Sequence, residues 1–160
     1  MKKSVYVETS ILSYLTARPS RDILRAARQE LTRQWWEKRR QDFEVFVSQL
    51  VLDEAAEGDD EAARKRLEAL ADIPSLDVTD EVASLAESLI AADVLPRTAA
   101  GDAIHVGVAT VHAMDFLLTW NFRHLANAEL IGPIRRFLRE RGYEPPLVCT
   151  PEELMGEHQW

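Results

Sequence analysis

Short strand-like apolar runs alternate with helix-length stretches along this whole chain, and that alternation restricts the fold more than any other feature. Residues 3–8 read as a short buried strand. FEVFVSQLV (43–51) is strand-like at its start, and SLDVT (75–79), DFLLTW (115–120) and PPLVCT (145–150) follow. Between them lie helical patterns. SILSYLT (10–16) forms a short helix with Thr9 or Ser10 as its N-cap, and Pro19-Ser20 breaks it. Residues 22–40 carry Ile23, Ala26, Ala27, Leu31 and Trp35 at spacings of three or four. VLDEAAEG (51–58) is a short helix stopped by Gly58, and 60–71 is a charged helix. Asp80 caps a helix with one apolar stripe (Val82, Leu85, Ala86, Leu89, Ile90), and Thr98 to Gly101 is a turn. Residues 102–114 form a mostly apolar helix, and 128–142 contains a helix ended by Gly142. Strands separated by helices pair in parallel through crossovers. The expectation is a three-layer α/β/α domain around a central, mostly parallel sheet, with residues 1–160 as one unit.

Three acids fall at the junctions of this pattern. Glu8 ends the first strand, Glu54 follows the second strand-like run, and Asp102 opens the apolar helix. Strand ends and helix starts converge on one edge of a parallel sheet, where sites in such folds lie. Carboxylates gathered there repel unless a cation sits among them, and hard oxygen donors suit Mg²⁺ or Mn²⁺. The residues therefore point to a metal-dependent enzyme. Each acid also has a plainer reading. Glu8 is then a polar strand end, Asp102 an N-cap, and Asp53 competes with Glu54, while Glu57, one turn on and on the same face, either supports the site or is solvated.

Composition narrows the classes. The chain is 46% hydrophobic, enough for a core and too much for disorder. Its only cysteine, Cys149, permits no intrachain disulfide and no cysteine metal cluster. Glu8 interrupts any apolar stretch of signal-peptide length, and no apolar run approaches the ~20 residues of a membrane span. The expected setting is cytoplasmic, without membrane attachment. A net charge of −8 argues against nucleic-acid binding through the overall field. The charge is uneven, however: residues 18–40 hold eight Lys or Arg against three acids. A basic helix beside an acidic site would guide a phosphate chain toward a metal, and a solvated helix face is the plain alternative.

The segments VYVETSILSYL (5–15), SQLVLDEAAEGD (48–59), AAGDAIHVGVA (99–109) and FLLTWNFRHLANA (116–128) together give the chain a resemblance to PIN-domain proteins. It resembles in particular the VapC-like ribonuclease toxins of type II toxin–antitoxin pairs. The resemblance covers nearly the whole chain and rests on order and spacing, not on any one segment. It implies that Glu8, Glu54 and Asp102 hold Mg²⁺ or Mn²⁺ for hydrolysis of RNA phosphodiesters, with Asn121 as a fourth ligand. It favours Glu54 over Asp53. It also implies that the Ser10 hydroxyl helps order the site, that a small antitoxin blocks it, and that the protein is commonly a homodimer. Two departures stand out. Glu8 occupies a position more often held by Asp, and Asn121 one often held by an acid, which leaves the site one negative charge short and weakens its hold on a second ion. They motivate a rival reading, a catalytically weak or inactive PIN-fold module that binds RNA or protein. A metal phosphoesterase of small molecules has less support, because VYVETS carries a single acid.

Other polar residues stay open. Thr9 and Ser10 lack a histidine–acid partner in sequence and read as caps, not nucleophiles. His105 is either a core group or a partner of the acids. Asn121 either ligates an ion or ties the following loop. Arg123 and His124 either touch phosphate or face solvent. Trp35 and Trp36 either stack bases or pack into the core, and Trp120 reads as core.

Overall fold

The computed structural model describes residues 1–156. Five strands form one all-parallel sheet: β1 (Ser4–Val7), β2 (Glu44–Ser48), β3 (Ser75–Leu76), β4 (Phe116–Leu118) and β5 (Leu147–Cys149), in the order β3-β2-β1-β4-β5. Among the described residues seven α-helices connect them: α1 (Thr9–Thr16), α2 (Ile23–Gln34), α3 (Gln49–Ala55), α4 (Asp60–Leu70), α5 (Asp80–Ala91), α6 (Ala100–Val111) and α7 (Ala128–Glu140). The expected α/β class is therefore the observed one. β1 is central, pairing Val5 with Val45 on one side and with Phe116 on the other. Val5, Tyr6 and Val7 are fully buried, because a parallel strand is covered on both faces.

The chain steps outward from β1 to β2 to β3, then returns across the sheet to β4 and β5. Right-handed crossovers place helices on opposite faces for the two directions of travel. The helices α1 to α4 contact one another on one side, and α5 packs on α6 on the other. The reversal falls between β1 and β4. α6 lies close against α5: a Cβ on Gly107 would come 3.1 Å from the Val82 carbonyl oxygen. Gly58 after α3 and Gly142 after α7 both have φ near +86° (85° and 86°), which supplies the helix stops expected of them.

Several local expectations are corrected. Neither Thr9 nor Ser10 caps α1; the Glu8 side chain does, accepting from the Ser10 N–H. Thr79, not Asp80, caps α5. The helix of residues 22–40 ends at Gln34 and continues as a π turn (Trp35–Arg39) and a 3₁₀ turn (Arg40–Asp42). The π turn brings Trp35 fully into the core beside Phe43, whereas Trp36 stays half-buried. β2 stops at Ser48, whose side chain starts α3 at once. Asp102 is not an N-cap; it lies in the first turn of α6, which Ala99 begins without a side-chain cap. Its carboxylate is left for other partners. Among the described residues, no helix is long and apolar enough to cross a membrane.

Candidate functional site

The crevice above the carboxyl ends of β1 and β4 is the switch point of this sheet, the place where open α/β folds collect ligands. Glu8 leaves β1 there, and Thr119, Trp120 and Asn121 leave β4 beside it. α3 begins at the same edge. So does α6, because a helix that leads down into β4 must start at the opposite end of the sheet.

Glu8 is almost fully buried, and its carboxylate joins the two central strand ends. Its Oε2 accepts from the Ser10 N–H at 3.0 Å, and its Oε1 accepts from the Ser10 hydroxyl at 2.6 Å and the Thr119 hydroxyl at 2.5 Å. Ser10 in turn accepts from the Trp120 N–H at 2.8 Å, and Thr119 accepts from the Asn121 N–H at 2.9 Å. Ser10 thus orders the site directly.

Glu54 reaches the same edge from α3. Its Oε1 accepts from the Thr9 hydroxyl at 2.6 Å and from His105 Nε2 at 2.7 Å. Burial pushes its pKa up, but the hydrogen bond and charge of His105, with the Thr9 hydroxyl, outweigh this and hold it below the usual carboxylate value. An ionised Glu54 anchors a buried relay. His105 donates to it from Nε2, and its Nδ1 is hydrogen-bonded to the Tyr6 hydroxyl at 2.7 Å. The Tyr6 hydroxyl in turn shares a hydrogen bond with the Ser48 hydroxyl, also at 2.7 Å. Burial raises the Tyr6 pKa far above its ordinary value, which keeps the hydroxyl protonated.

Asp102 projects from α6 toward the loop after β4. Its Oδ1 accepts from the Asn121 amide at 3.0 Å and its Oδ2 pairs with His124 Nδ1 at 2.8 Å. Asn121 is engaged in the turn that follows β4. Its Oδ1 accepts from the Arg123 and His124 N–H groups at 3.1 and 3.0 Å, so both lone pairs are spent on closing the turn. Of its two sequence readings, the loop tie is the one its hydrogen bonds describe. Arg123 is exposed, and its guanidinium makes no protein hydrogen bond among the described residues. Asp53 points to solvent, held by Gln49, so Glu54 is the acid that faces the crevice.

The three acids are linked through neighbours. Thr9, next to Glu8, bonds Glu54, and an ideal Cβ on Gly101, next to Asp102, would lie 3.6 Å from Glu54 Oε2. Their chemistry suits a hard divalent cation, and Glu54 Oε2 has no hydrogen-bond partner among the described residues. The arrangement is not yet a cage. Among the described residues, no three His, Cys, Asp or Glu side chains are disposed to hold one ion together. His124 and Thr119 were not assigned these partners in the sequence. The three-residue step from Asn121 to His124 was the available signal for the first; nothing distinguished Thr119 or Tyr6 from core residues.

Fold and edge together define an α/β domain with an acidic switch point. The structure is similar to a chain of a solved complex, VapBC2 from Rickettsia felis bound to a DNA fragment from their promoter. The TM-score is 0.57, 92% of this chain and 98% of that one are covered, and identity is 12%. At that identity the likeness is one of fold. No protein family matches the sequence, and no curated protein does.

Proposed function

We propose that the chain is a divalent-metal-dependent endoribonuclease, the toxin of a toxin–antitoxin pair acting in the cytoplasm. The observation that carries this reading is that the elements bearing Glu8, Glu54 and Asp102 open at one switch-point edge, with each carboxylate hydrogen-bonded to protein partners. The fold shared with a VapBC2 chain supports it. Glu8, Glu54 and Asp102 would hold the ion. When bound, Mg²⁺ or Mn²⁺ supplies Lewis-acid polarisation of a phosphate and acidifies water. The rest falls to the chain itself. His105 and Thr9 fix one oxygen of Glu54 and leave Oε2 toward the edge. Ser10 and Thr119 lock Glu8 against β4. Asn121 holds the turn that presents Arg123 to a phosphate oxygen. A small antitoxin covering this edge and a homodimer belong to the same reading.

The test is Mn²⁺- or Mg²⁺-dependent cleavage of single-stranded RNA by the wild type and by Asp102→Asn. The expected loss in the variant is roughly 100-fold or more, the upper range for disturbing a metal site. Equal rates would remove Asp102 from the reaction. One observation favours a second reading: the carboxylates are engaged by protein donors and form no three-ligand set. A PIN-fold module that binds RNA or protein without turnover would show binding by the wild type and no cleavage with either ion.

A further inference from the structure

Beside the acidic edge lies a run of aromatic rings with cations over them. Tyr14 on α1 packs against Trp120, centroids 5.7 Å apart, and Trp120 packs against Phe122 at 6.0 Å. Arg28 of α2 sits 4.7 Å from the Phe122 ring centre and 5.7 Å from that of Trp120, and Arg25 sits 5.3 Å from Tyr14. Trp120 is the buried anchor, its Nε1 donating to the Thr32 hydroxyl at 2.7 Å. Phe122 is the outer end. At 42% exposure it is the one exposed aromatic among the described residues. Its backbone is held in the turn closed by Asn121, the residue that bonds Asp102. Among the described residues, neither Arg25 nor Arg28 pairs with a carboxylate, although α2 lies in an acidic protein.

An exposed ring one residue from Asn121, with the Arg28 guanidinium over it and that charge unpaired with a carboxylate among the described residues, matches an unpaired base on a phosphate chain. We propose that Phe122 and Arg28 form a stacking platform for one unpaired base of a single-stranded nucleic acid and position the adjoining phosphate at the Glu8, Glu54 and Asp102 edge. The proposal rests on the nuclease reading for its substrate, but its own evidence is the platform. A ring and a guanidinium offer a π surface without base-edge hydrogen bonds, so any of the four bases is accepted.

The test measures fluorescence anisotropy of a labelled single-stranded RNA with the full chain in EDTA, so that binding is read without turnover. The same strand carrying one abasic position, moved along its length, is compared. Phe122→Leu and Arg28→Lys are each expected to weaken binding about 5- to 100-fold, the range for one stacked base, and Phe122→Trp to restore it. One abasic position should cost the wild type a similar factor and cost Phe122→Leu nothing further. With Mn²⁺ present, the loss should fall more on KM than on kcat. Thermal unfolding of each variant separates a folding defect from a lost contact.

The platform is overturned if Phe122→Leu binds as tightly as the wild type, if the wild type binds no single strand, or if the loss is equal on heparin. It is also overturned if Phe122→Leu affects only binding of a protein partner. The nuclease reading fails separately. If Asp102→Asn and the wild type behave alike in cleavage while the abasic coupling at Phe122 persists, the platform stands and the reaction does not.

Discussion

Tyr6 shows how much of this site is held from below. Its hydroxyl joins Ser48 to His105 inside the core, and His105 fixes Glu54. Tyr6→Phe removes only an oxygen, yet leaves His105 Nδ1 without its hydrogen-bond partner. The expected cost is about 1–3 kcal/mol, that of an unsatisfied buried group, measured by urea unfolding. Glu54 adds a pH dependence. Its folded pKa lies below the unfolded value, so its contribution is present above the usual carboxylate range and is lost as pH falls through the folded pKa. Wild-type stability should therefore decline as pH falls below that range, and Glu54→Gln should decline less steeply; parallel slopes would contradict the ion pair. The acids were legible in sequence because charge at a strand end or helix start is conspicuous. Their partners were not. Tyr6 reads as core because it is core, and its chemistry depends on a residue 99 positions away.

At the scale of elements, two glycines in helices have different surroundings. A Cβ on Gly107 of α6 would press on the Val82 backbone, which α5 holds in place, whereas one on Gly132 of α7 would meet nothing within 4 Å beyond its chain neighbours, of which Pro133 is one. Gly107→Ala should destabilise by about 1–2 kcal/mol through overpacking, despite better helix propensity. In Gly132→Ala the propensity gain is opposed by Pro133, which disfavours a helical residue with a Cβ before it, so the change should be smaller than that of Gly107→Ala. Thermal or urea unfolding of the pair decides this, and equal destabilisation by the two would contradict the packing of α5 on α6. Element order was readable because β-branched runs and apolar stripes have different periods. Element ends were less so. The α2 pattern runs on to Arg40, yet the helix passes into a π turn at Trp35, whose ring is fully buried, and local spacing does not encode that change. The start of α6 two residues before Asp102 had no side-chain cap to announce it.

For the molecule as a whole, the parallel sheet followed from alternation alone, and the strand order then fixed where a site would form. The reversal between β1 and β4 brings residues 8, 54, 102 and 121 to one edge although they span most of the chain. The net charge of −8 is offset locally by the arginines of α2. What sequence did not carry was the state of the carboxylates, since hydroxyls, an amide and two imidazoles take them up in ways set by tertiary contacts. The central claim is that Glu8, Glu54 and Asp102 receive one divalent cation. Anomalous diffraction from a crystal soaked in Mn²⁺ tests it most directly. The expected result is a manganese peak bound by oxygens of these three residues. A peak elsewhere, or none, would contradict it.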